Sequence, residues 1–83
     1  MAIPEYQRPP SFVFERMTIA ILCGETMQLH WQDEKSELSF LEALQPRELR
    51  EGDGADYLVA EDAQGNMHRI RMDLIRNLPR PVK

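Results

Sequence analysis

The stretch ADYLVAEDAQGNMHRIRMDLI, from Ala55 to Ile75, restricts the fold more than any other part of the chain. Tyr57, Val59 and Glu61 alternate with Leu58 and Ala60, which is the two-faced pattern of an extended segment. Ala63-Gln64-Gly65-Asn66 then supplies a four-residue turn with glycine in its second half. Met67 to Met72 returns, with Ile70 and Met72 expected inside and Arg69 and Arg71 outside. The sequence therefore predicts a β-hairpin here. A short segment after Asp73 brings Leu74, Ile75 and Leu78 to one end of the fold, before Pro79 and Pro81 stop it.

A second hairpin is expected upstream. Met27, Leu29 and Trp31 alternate with Gln28, His30 and Gln32, and Asp33-Glu34-Lys35-Ser36 makes a polar turn. Glu37 to Leu41 pairs back, with Leu38 and Phe40 on the inner face. Pro46 makes residues 42–49 a loop or a short helical turn, and REGDGA (50–55) reads as a flexible connection.

Before these strands, Ser11 as N-cap and Gly24 past the end bracket a helix of about three turns. Val13, Met17 and Ala20 share one of its faces. The pattern of Phe12, Val13, Phe14, Thr18 and Ile19 fits a strand almost as well, and the Ser/Gly bracket favours the helix. Three prolines make residues 1–10 an extended arm, leaving 11–78 as one domain and 79–83 as a tail. The expected class is mostly β (α+β): a small, strongly bent antiparallel sheet curled into a barrel, with one N-terminal helix.

At 83 residues the chain has room for a single core. Its one cysteine, Cys23, cannot close an internal disulfide, and MAIPEYQRPP lacks the apolar stretch of a signal peptide. The longest apolar stretch, Ile19 to Cys23, is too short to span a bilayer, so a cytoplasmic location is expected.

Charge is unevenly spread. From Glu25 to Asp62 eleven carboxylates face three bases, a balance of −8, whereas residues 65–83 carry five bases against Asp73, a balance of +4. The acidic middle suits either solvated surface or a basic partner protein.

Little in the chain points to a reaction. Cys23, His30 and His68 have no metal-ligand spacing, and Cys23 reads as a small buried hydrophobe. Asp33/Glu34 and Glu61/Asp62 lie in or beside turns, where acids are solvated. No phosphate loop or nucleophile elbow occurs. We therefore expect a non-enzyme with no catalytic residue, metal or cofactor. Arg69, Arg71 and Arg76 form a basic stripe that could contact RNA or single-stranded DNA. It lacks stacking aromatics, because Trp31, Phe40 and Tyr57 fall at core positions. An exposed sheet edge or the Phe12/Phe14 segment could also make a homodimer, so monomer and homodimer both stay open.

The order of elements resembles the Rho-binding antiterminator (Rof) family of small bacterial proteins. Ile21-Leu22-Cys23 leads into Met27–Trp31, then come the Asp-Glu-Lys turn, YLVAED, a glycine turn and RIRMDLI. The likeness covers about residues 14–78, and YQRP in the arm is similar to the family's start. It implies an Sm-like barrel that binds the transcription terminator Rho near its RNA-binding surface through acidic contacts, blocking RNA loading. The family's acidic helix signature is missing: Glu15 is the lone carboxylate there, followed by Arg16. The contact charges expected on this basis are Glu15, Glu25, Asp33, Glu34 and Glu37.

Overall fold

The computed structural model describes residues 5–52 and 54–77. The expectations for Leu78, for the prolines beyond it and for the tail lie outside them. One helix, α1 (Ser11–Cys23), precedes four strands: β1 (Met27–Gln32), β2 (Ser39–Gly52), β3 (Ala55–Glu61) and β4 (Met67–Arg71). A 3-10 turn (Met72–Leu74) follows. The strands form an antiparallel sheet in the order β1-β2-β3-β4, curled into a half-barrel under the helix. The class expected from the sequence, a mostly β fold with one N-terminal helix, is the one observed.

Helix α1 buries Val13, Met17 and Ala20, as its spacing requires. Pro10 rather than Ser11 is the N-cap, and the Pro10 carbonyl accepts from the Val13 amide at 3.0 Å. At the other end Gly24 takes φ 65°, ψ 33°, and the amides after the last turn close onto the Ala20 and Ile21 carbonyls. A left-handed residue at this point suits glycine, which has no Cβ to clash. Cys23, expected inside, is exposed. It falls on the solvent side of the last turn, off the Val13–Met17–Ala20 stripe.

The largest departure from expectation is β2. Residues 42–49 are neither loop nor helical turn but the middle of a 14-residue strand. Pro46 does not end it, because the register shifts between Pro46 and Glu48. A bulge is where a strand tolerates a residue with no amide donor. A straight strand of this length would run roughly 46 Å, whereas the molecule's greatest extent is 36 Å, so β2 has to curve. Its first half pairs with β1 (Met27↔Leu44 to Gln32↔Ser39) and its second half with β3 (Gln45↔Glu61 to Gly52↔Ala55). The supposed flexible connection 50–55 is thus mostly paired strand. Leu38 and Phe40, assigned to the inner face, are among the exposed large apolar residues, together with Leu41.

The core is shared by all elements: Val13 and Met17 from the helix meet Leu29, Trp31, Leu44, Leu58, Ala60, Ile70, Met72 and Ile75. Curling brings residues 75–77 back to the first strand. Trp31 bridges to Ile75, the Arg76 amide donates to the His30 carbonyl at 2.7 Å, and Asn77 bonds both His30 and Gln28. These bonds cover the edge of β1 that would otherwise be open.

The described part of the arm, residues 5–10, is anchored to the barrel. Tyr6 and Arg8 both donate to Asp56 Oδ2, at 2.6 and 2.8 Å, and the Gln7 amide donates to Asp73. Among the described residues no helix is long and apolar enough to cross a membrane.

Candidate functional site

The two hairpins part company where β2 bends. β3 accompanies only the second half of β2, so a cleft opens between the β1–β2 hairpin and the β3–β4 hairpin. It holds about 170 Å³ and is lined by Trp31, Asp33, Phe40, Glu42, His68 and Arg69. Trp31 is buried while Phe40 is partly exposed. Their rings stack with centroids 5.5 Å apart, and the His68 ring meets Trp31 edge-on at 5.9 Å.

At one side of the cleft a polar cluster is built from three elements. Asp62 ends the β3 side of the turn and accepts from the Gln64 and Asn66 amides on Oδ1, at 2.9 Å each. Its Oδ2 lies 3.0 Å from His68 Nε2. The His68 contact, followed by the Asn66 amide, pulls the Asp62 carboxyl down to about 2, since hydrogen bonds to a carboxylate favour its charged form. Glu42 from β2 completes the group, and the donor atoms of Glu42, Asp62 and His68 lie within 4.8 Å of one another.

The acidic residues expected to contact a partner do not gather in one place. Glu15 is exposed on the helix. Glu25 sits at the helix's end in a two-pronged bond with Arg16, which holds its carboxyl below the ordinary range. Asp33, Glu34 and Glu37 occupy the β1–β2 turn, at the far end of a strand of roughly 20 Å. Within that turn Asp33 accepts from Ser36 and from the Lys35 amide, and Glu34 accepts from the Tyr57 hydroxyl at 2.6 Å. That bond, with burial second, raises the Tyr57 pKa.

The basic stripe is also broken up. Arg71 is buried and paired with Asp73, against the expectation that it faces out. Alternation fails here because the chain leaves β4 at Arg71 and enters the 3-10 turn, which swings Asp73 back beneath it. Arg69 is exposed and lies 3.9 Å from the Tyr57 ring centroid, and exposed Arg76 bonds Gln32. His30 uses its backbone to hold the closing segment and does not meet Cys23 or His68 in a ligand cluster among the described residues.

Glu42 is absent from the site residues expected from the sequence, because Pro46 makes residues 42–49 read as a loop or a short helical turn. Its one detectable signal is the apolar alternation of Leu44 and Pro46, which continues the pattern through Glu42.

No family model matches the chain, and no curated protein matches it. A solved structure does: proteasome accessory factor B/C (PafBC) of Arthrobacter aurescens, at 18% identity and a TM-score of 0.69. The match covers 92% of this chain and 12% of that one. The likeness is one of fold, and the chain spans a small part of the larger protein's length.

Proposed function

We propose that the chain is a non-catalytic regulatory module that binds a basic protein surface through its β1–β2 hairpin. The observation that carries this reading is the hairpin's make-up. Leu38 and Leu41 are 64% and 60% exposed and Phe40 is 36% exposed, on a segment that also carries Asp33, Glu34, Glu37 and Glu42. Exposed large apolar groups among four carboxylates and the single base Lys35 suit a protein interface with an apolar centre and a mostly acidic rim. The resemblance to the Rho-binding antiterminator family makes Rho the first partner to test, and a bacterial cytoplasmic setting goes with it. Glu15 and Glu25 contribute less in this reading than the hairpin acids do, because Glu25 is already neutralised by Arg16.

Titration of the chain with purified Rho tests this. Binding should weaken as salt rises, because exposed charges are screened within about 10 Å at 0.1 M, and Leu38→Ser with Leu41→Ser should abolish it. No binding at low salt removes Rho as the partner. Direct nucleic-acid binding is the weaker alternative: of Arg69, Arg71 and Arg76, Arg71 is committed to Asp73, and two acids line the cleft beside Arg69. Fluorescence anisotropy with a short oligonucleotide would rescue that alternative if Arg69→Ala removed tight binding.

A further inference from the structure

We propose that Glu42, Asp62 and His68 form a binding site for a divalent transition metal, with Zn²⁺ the best match, at the mouth of the cleft. The donor set is one imidazole nitrogen and two carboxylates, which are ordinary zinc ligands at about 2.0–2.2 Å. Three ligands drawn from a strand, a turn and a second strand define a face, as in open three-ligand sites. A fourth position then points into the cleft beside Trp31, Phe40 and Arg69.

The geometry is near to what a metal needs. Ligand atoms around such an ion stand roughly 3.2–3.5 Å apart, as follows from the bond lengths. Asp62 Oδ2 and His68 Nε2 are already 3.0 Å apart, and one donor atom of Glu42 lies within 4.8 Å of a donor atom of each of the other two residues. One rotamer adjustment of a flexible glutamate closes the difference. Asp62 cannot swing away, because the Gln64 and Asn66 amides hold its other oxygen.

Electrostatics asks for a cation at this point. The Glu42 side chain makes no hydrogen bond or ion pair among the described residues, although its carboxylate is brought close to that of Asp62. Two carboxylates sharing one imidazole repel each other, and a divalent ion would relieve this. Sequence reading found no metal motif because the three ligands come from separate elements. Only the β2 bend sets Glu42 beside the β3–β4 turn.

Calorimetric titration of the intact chain with Zn²⁺ is the test, with Mg²⁺ as the hard-cation control and the thermal midpoint as a second readout. The expected result is one Zn²⁺ per chain, a raised midpoint, and affinity reduced at least about tenfold in both Glu42→Gln and His68→Ala. His30→Ala should bind like the parent. Circular dichroism shows whether each variant is folded, and Co²⁺ absorption in Glu42→Gln reports a changed ligand set even if His68→Ala unfolds. Absence of Zn²⁺ binding at millimolar concentration overturns the proposal. So does binding that survives in folded Glu42→Gln with an unchanged Co²⁺ spectrum.

Discussion

Arg71 and Asp73 form a two-pronged ion pair across the exit from β4, Nε to Oδ1 at 2.6 Å and Nη2 to Oδ2 at 3.0 Å. Both side chains are less than one-tenth exposed. Asp73 also receives the Gln7 amide, so this pair joins the strand, the 3-10 turn and the arm. Removing one member leaves a buried charge without its partner, which costs about 3–5 kcal/mol. Urea denaturation of Arg71→Ala should show a loss of that size. Arg8→Ala, which breaks a pair whose arginine is 63% exposed, should cost about 0.5 kcal/mol or less.

Alkaline titration should separate folded from unfolded protein through the tyrosines. Burial first, and the Asp56 hydrogen bond second, push the Tyr6 hydroxyl up to about 12 from an ordinary 10.0. Tyr57 is raised as well, and the chain has no other tyrosine. A raised folded pKa means stability that is whole below the unfolded value and is lost as pH climbs through the folded one. The bond between arm and barrel therefore fails between pH 10 and about 12. Tyrosinate absorbance should appear late in the native protein, and Tyr6→Phe should flatten this part of the stability profile.

At the acid end the sign reverses. Asp62 is depressed to about 2, chiefly by His68, so its contribution is present above the unfolded carboxylate value and disappears as pH falls toward 2. Carboxyl NMR titration should place the Asp62 midpoint at about 2, well below the ordinary aspartate value of 3.8. In His68→Ala its midpoint should move up toward the ordinary range, though not fully, since the turn amides still bind it.

Gly24→Ala tests the helix end. An added Cβ would meet Gln45 Nε2 at an ordinary 3.6 Å, so packing adds little. The backbone angle of +65° supplies the cost, about 1–2 kcal/mol for a left-handed alanine. Chemical denaturation should find that loss without a change in the circular dichroism of the folded state.

Much of the architecture is legible in the sequence where one local pattern acts alone. The Met27–Gln32 alternation and the Gly65 turn each produce the element they predict, and the helix runs from Ser11 to Cys23 ahead of Gly24, although Pro10 takes the cap position expected of Ser11. Legibility stops where two signals compete. Pro46 reads as a strand breaker until a bulge accommodates it, and Arg71 reads as an outward strand residue until the chain leaves the strand for a 3-10 turn one step later. Cys23 reads as buried on hydrophobicity, but its place on the helix surface decides otherwise.

The candidate site shows the same division. Asp62 and His68 are six residues apart across a predicted turn, so their meeting is foreseeable, whereas Glu42 reaches them only through the curvature of β2.

Side-chain alternation, turn glycines and prolines act over a few residues, and they alone determined one helix followed by antiparallel hairpins with a mostly apolar interior. The tertiary structure decided how far β2 bends, which charges are consumed by neighbours, and which remain to face a partner. Several of these outcomes depend on contacts far apart in the chain, such as Glu42 with Asp62 and His68 or Tyr6 with Asp56, 50 positions away, and no local pattern encodes such distances.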